Sequence, residues 1–403
     1  MNKSDSVFTR KASRRSFLAK GSMAAGVATM GVSLLGDGLP AFAEDENSGS
    51  LIMGDAAILR FLQALETIEA DLWRQYAELG GATNAPGASN IDLPFPTGLA
   101  ALYVTGLQQL DGDMPQYIAD NTDDELSHES FLKNYLASKG ADVVDLSKFA
   151  TLQPSQVTGV PNVGRLTNLT QLTVDTSWWT RYRSDSKNPD FGDTFDQAVP
   201  TLAVGQHTAI PRTNADLIAD ASQASGVSTH TQAIANTAGF HFAFIEQGGS
   251  SLYPSLAQRV TSPEVLRILL SIGPTETSHF QTWHDKAGNA VQPPLGPLTD
   301  TDTGFPGSTG ATVTFPNLNA TANPDEFQTN LIMPEPTIFL KKKFGPVSII
   351  RPTETRGAAT AALNGLIADG LFIGHTSKTG KSDGFLELLR DLAEDADEAT
   401  RGF

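Results

Sequence analysis

Glu125-Leu126-Ser127-His128, inside the run 123–136, and Glu276-Thr277-Ser278-His279 carry the same pattern twice in one chain. Residues three apart share a helix face, so each motif can aim a carboxylate and an imidazole at one point. One such pair arises by chance in many helices. Two pairs fit the inner faces of two helices in a four-helix bundle, where a dimetal site needs one further Glu from each of the other two helices. Glu69 and Glu246 answer that need, each in an apolar run upstream of its Glu-x-x-His partner.

The helices around these motifs follow from apolar spacing. Ile58, Phe61, Leu62, Leu65, Ile68, Leu72, Tyr76 and Leu79 recur at three and four, predicting a first helix over 55–79 that ends at Gly80-Gly81. Segments 99–110 and 114–136 predict one interrupted second helix. A third helix starts near His230; Phe240, Phe242, Phe244 and Ile245 make it apolar nearly all round and so central. Gly248-Gly249 implies close packing or a bend just after Glu246. Ser262-Pro263-Glu264 opens the fourth helix with an N-cap and an N1 proline. Gly273-Pro274 predicts a kink before Glu276.

Between the two helix pairs, about 141–230 is rich in Thr, Ser, Asn, Pro and Asp and reads as a long crossover. Its aromatic knot, Trp178-Trp179-Thr180-Arg181-Tyr182, reads as packing. His207 and His230 have no evident partner, and Glu129 and His284 fall off the ligand face. His241 reads as a core residue, and Lys341-Lys342-Lys343 as a solvated turn. The tail, 289–403, predicts a helix near 357–371 and an acidic helix over 384–400 but has no assignable fold; wrapping the bundle or a subunit contact in a homo-oligomer are both compatible with it.

An echo links the halves. Tyr76 follows Glu69 by seven residues, and Tyr253 follows Glu246 by seven. Two turns put each Glu and Tyr on one side. The echo selects Glu69 over Glu66, because the position matching Glu66 in the second half is Ala243. Tyr76, Tyr253 and Glu66 are then expected to stand behind the ligands and orient them.

The beginning reads as an address. Arg14-Arg15 precede a Gly/Ala/Val/Leu-rich stretch and Ala41-Phe42-Ala43, with cleavage expected between Ala43 and Glu44. This is a twin-arginine signal over 1–43, predicting export to the periplasm, cell envelope or medium by the twin-arginine machinery. The whole chain carries −17, and residues 1–43 hold six Lys/Arg against two Asp/Glu, so the mature chain carries −21. That charge argues against a nucleic-acid partner. With no Cys in the chain, disulfides, iron–sulfur clusters and thiolate metal sites are excluded. Glu and His donors favour iron or manganese.

The chain resembles the ferritin-like four-helix-bundle proteins, in particular exported bacterial ones related to plant desiccation-associated proteins. The resemblance rests on Leu65–Trp73 (LETIEADLW), Glu125–His128, Phe240–Tyr253 (FHFAFIEQGGSSLY) and Glu276–His279, and covers about 55–288. It implies a mainly α fold with a long crossover between helices two and three. It also implies a centre of two iron or manganese ions held by Glu69, Glu125, His128, Glu246, Glu276 and His279. Such a centre takes O2 or peroxide as reactant, which points to stress protection. A non-catalytic stress or envelope protein on the same scaffold, and a manganese catalase-like activity, are the alternatives. The crossover and tail argue against a closed storage shell.

Overall fold

A computed structural model describes residues 50–81, 100–183, 193–318, 343, 357–375 and 382–402. The signal motif Arg14-Arg15, the Ala43/Glu44 cleavage site and most of the 341–343 lysine run lie outside them.

Four long segments form the bundle: α1 (Met53–Gly80), the interrupted pair α2 (Ala100–Leu110) and α3 (Met114–Ser138), then α5 (Thr229–Ala257) and α6 (Pro263–Gly288). A five-residue helix, α4 (Ser177–Arg181), lies in the crossover. The main packing pairs are α1 with α3 and α5 with α6. The expected order and interruption are observed, and α5 is buried on almost every face. α6 continues through Pro274 as one helix. Among the described residues no helix is long and apolar enough to cross a membrane.

Helix starts are set by local chemistry. Ser228 Oγ accepts from Thr231 N at the head of α5, and Ser262 Oγ accepts from Val265 N at the head of α6. Asp55 of α1 is buried and accepts from Thr261 N and Ser262 N, both at 2.8 Å, so it joins the start of α1 to the start of α6.

The crossover is held by polar groups on α1. Gln63 exchanges two hydrogen bonds with the Val144 backbone. Asp71 accepts from Leu166 N, Thr167 N and Thr167 Oγ1, and Glu78 pairs with Arg165. Trp178 and Trp179 are buried, packed against Phe240 and His284. His207, expected to lack a partner, faces the carbonyls of Thr201 and Val204.

The tail carries the two helices expected of it and one strand pair that the sequence did not disclose. Strands β1 (Leu298–Thr301) and β2 (Thr312–Phe315) pair antiparallel, Leu298 opposite Phe315. Helix α7 (Ala358–Ala368) packs on α5, and α8 (Phe385–Glu398) packs on α1 and α7. The described parts of the tail thus pack on the bundle. Asp369, just past α7, is fully enclosed and 3.0 Å from His241 Nε2, while Tyr76 Oη lies 2.7 Å from His241 Nδ1.

Crossover, α5 and tail also meet at one ionic cluster. Arg212 donates to both oxygens of Asp216 and of Asp302. His230 lies between Asp216 (3.2 Å) and Asp300 (2.8 Å). Burial opposes charge on Asp216, but bonds from His230 and Arg212 outweigh it and lower its pKa to about 2. Arg212→Ala removes the one guanidinium shared by Asp216 and Asp302 and is expected to cost about 3 kcal/mol in urea unfolding at pH 7. An Asp that is depressed in the fold stabilises fully above its unfolded value of about 3.9 and loses this as pH falls toward about 2. The Arg212→Ala penalty should therefore shrink with acidification below pH 4; a penalty unchanged down to pH 2 would contradict this account.

Candidate metal centre

Glu125 and His128 project from one face of α3, and Glu276 and His279 from one face of α6, as their spacing requires. The fold brings all four into one buried cluster with Glu246 of α5 and Glu66 of α1. The cluster divides into two overlapping groups, each with its ligand atoms within 4.8 Å of one another: Glu66, Glu125, His128 and Glu276, and Glu125, Glu246, Glu276 and His279. Glu125 and Glu276 belong to both, so they are placed to bridge. Glu66 and His128 flank one side, and Glu246 and His279 the other.

One expectation needs correction, and Glu66 joins the ligand candidates of α1. The α1 carboxylate in the two groups is Glu66; Glu69 is outside them, but its carboxyl is buried beside them and held well above the usual carboxylate range by that burial and then by the charges of Glu125, Glu276, Glu246 and Glu66. Glu69 lies three residues on, about 4.5 Å further along the helix, and its side chain lines a cavity between α1 and α5. Tyr76 contacts no ligand carboxylate in the hydrogen-bond network; it points to His241. Tyr253, by contrast, donates to Glu66 Oε1. The seven-residue echo therefore matched positions whose roles differ: the second-half tyrosine serves the first-half carboxylate.

The geometry around the imidazoles is crowded with acceptors. His128 Nδ1 lies 3.1 Å from Glu125 Oε2, 3.2 Å from Glu276 Oε1 and 3.4 Å from Glu66 Oε2. His279 Nδ1 lies 3.1 Å from Glu125 Oε1 and 3.2 Å from Glu246 Oε2. A ring nitrogen carries at most one hydrogen, so it cannot satisfy several carboxylates at once. Glu66 Oε2 and both Glu276 oxygens are buried without an accepted hydrogen bond. Gly249 of α5 makes this approach possible: a Cβ there would stand 2.6 Å from Glu276 Oε2.

Supporting residues hold the ligands in place. Asn121, one turn before Glu125, donates from Nδ2 to Glu125 Oε1 and Glu246 Oε1, both at 2.9 Å. Its Oδ1 accepts from Trp283 Nε1 at 2.7 Å, and Trp283 stacks on Trp73 at 5.4 Å. His279 Nε2 lies 3.0 Å from Asp124 Oδ2, a contact that fixes the ring's direction. Sequence reasoning missed both Asn121 and Asp124. Asn121 left a signal, a polar residue four before Glu125 on the same helix face. Asp124 left none, being one charge among several in an acidic helix.

Burial and mutual repulsion dominate the electrostatics. Desolvation, then the Glu276 charge, pushes Glu125 up to about 7. Desolvation also pushes Glu276 up to about 8, with Glu66 and Glu246 adding to it. Glu246 is raised chiefly by burial. Burial opposes charging His128 and His279, but the surrounding carboxylates outweigh it and raise both. Carboxylates so placed become fully ionised only when positive charge enters with them. Oxygen and nitrogen donors, unsatisfied lone pairs and shared carboxylates fit a pair of hard or borderline divalent cations.

A family model described as "Ferritin-like domain" matches residues 54–288, more than half of the chain, and the chain belongs to that family. No curated protein and no solved structure matches it.

Between about pH 4.5 and 8 the folded chelated protein binds more protons than the unfolded one. Glu125 and Glu276 keep protons that an unfolded Glu sheds above about 4.3, and the two His keep theirs above about 6.5. The cluster's contribution to stability therefore falls as pH rises through this range. Thermal unfolding in chelator should show a steeper decline in Tm from pH 5 to 8 for the native chain than for Glu125→Gln/Glu276→Gln; equal slopes would refute the sign.

Proposed function

We propose that this ferritin-like protein holds two iron or manganese ions and uses them in redox chemistry on O2 or peroxide, protecting against oxidative stress. The observation that carries this reading is the pair of overlapping ligand groups sharing Glu125 and Glu276. Glu66 and His128 would complete one position, and Glu246 and His279 the other. Two such ions, when bound, supply electrons jointly to an oxygen-derived reactant.

The chain's own residues supply position and dryness. Asn121 holds Glu125 and Glu246 together. Tyr253, itself raised well above the usual tyrosine range by burial and then by the Glu66 charge, keeps its proton and donates it to Glu66. The Trp73, Trp283, Phe242 and Tyr76 rings form a packed, buried apolar layer, with Trp283 and Phe242 one turn from the ligands His279 and Glu246, excluding water on that side. Export through the twin-arginine route belongs to the same reading, because that route carries folded proteins with their metals already in place.

Plasma mass spectrometry on untagged, chelator-free protein is expected to find about two iron or manganese ions per chain, as the fold's dimetal design provides. Glu125→Ala/Glu276→Ala should lose both. Glu66→Ala should lower occupancy, and Glu69→Ala should leave it unchanged. A folded native chain without metal, or metal loss on Glu69→Ala but not Glu66→Ala, would refute the assignment. Given metal, peroxide consumption without stoichiometric O2 release separates this function from a catalase-like one.

A further inference from the structure

The cavity that takes Glu69 adjoins the ligand cluster, since Glu66 and Tyr253 also line it, but most of its lining belongs to residues outside the ligand groups. It has a volume of about 140 Å³ and lies between α1 and α5 under α7. Its space comes from small side chains: Ala358, Ala361, Ala362 and Gly365 recur at three, four and seven and so share one face of α7. Leu65, Leu72, Ile245, Leu252 and Leu366 add apolar wall, and Glu66, Gln247, Ser251 and Tyr253 add polar atoms. Asp175, exposed, marks the rim.

Two more lining residues bear on what the cavity can hold. Glu69 lines the cavity, and its Oε1 is buried without a hydrogen-bond partner. An unsatisfied buried acceptor is costly and rare in a packed interior. Gly249 lines the cavity as well, and it is the residue whose missing side chain lets the Glu276 carboxylate lie against α5. The same glycine is thus in the cavity wall and against a bridging ligand.

The geometry points to a binding site for a small neutral molecule with an apolar body and one hydroxyl, of the phenol class, seated beside the metal ligands with its hydroxyl on Glu69. Size supports the body: a buried apolar cavity of roughly 150 Å³ admits benzene. The unpaired acceptor supports the hydroxyl. Charge argues for neutrality, since the carboxylates around Glu69 repel an anion and an apolar wall penalises an ammonium. That the bound molecule is a substrate rests on the dimetal reading above; that it binds does not.

Calorimetry with phenol, toluene, benzylamine and benzoate on the full chain, metal-loaded and chelated, tests this. Phenol is expected to bind one to one in both forms, roughly five- to tenfold tighter than toluene, the worth of one hydrogen bond. Glu69→Leu should abolish that preference while toluene still binds. Ala362→Trp, or Ala361→Phe if the first does not fold, should abolish both without changing metal content. Absence of saturable phenol binding to the folded native chain would overturn the proposal, as would undiminished binding in a folded filled-cavity variant. Benzylamine binding tighter than phenol would overturn the neutral class. Phenol binding to a chain that holds no metal would support the cavity while refuting the dimetal reading, so the two failures are distinct.

Discussion

Carboxylates buried within contact distance of one another repel, and each also loses the water that would stabilise its charge. Glu66, Glu125, Glu246 and Glu276 stand in that relation at the centre of this bundle. Much of the surrounding structure reads as a response to it. Two imidazoles carry positive charge into the cluster, Asn121 donates to two carboxylates at once, and Tyr253 donates to a third. These devices temper the repulsion, yet Glu125 and Glu276 remain pushed up to about 7 and about 8. The protein fraction of the site is therefore unfinished chemistry: its donors exceed the positive charge the chain can bring to them.

The parts of this arrangement that lie within one helix were legible in the sequence. Glu125 with His128, and Glu276 with His279, are fixed by helical geometry alone, and the helix periods carrying them were clear. What the sequence hid was rotation and level between helices. Glu66 and Glu69 differ by one turn less sixty degrees, and only the packing of α1 against α3 and α5 selects between them. The echo of Glu–x6–Tyr misled because it assumed that the two halves are in register. Tyr253 reaches across to α1, while Tyr76 turns to a histidine that the first half does not contain.

The crossover and tail were less legible for a different reason. Their positions are decided by scattered long-range polar contacts rather than by periodic apolar faces. Gln63, Asp71 and Glu78 hold the crossover along α1, and Arg212 joins it to Asp302 in the tail. Such contacts leave no local pattern, since each partner is an ordinary polar residue until the fold brings it to the other. His230 is an example: a histidine without an evident partner in sequence is, in space, between two aspartates.

The contact between His241 and Asp369 has a consequence for where this protein can be cut. The family match ends at residue 288, but the imidazole at the middle of α5 meets its carboxylate at Asp369, well beyond that end, in a place closed to solvent. Helix α8 likewise covers α1, the first helix of the bundle. A chain ending at 288 would expose the apolar flank of α1 to water and leave His241 without its acceptor. The boundary drawn by sequence similarity is thus not a boundary of folding: among the described residues, those after 288 cover flanks of α1 and α5 that the matched segment would leave open.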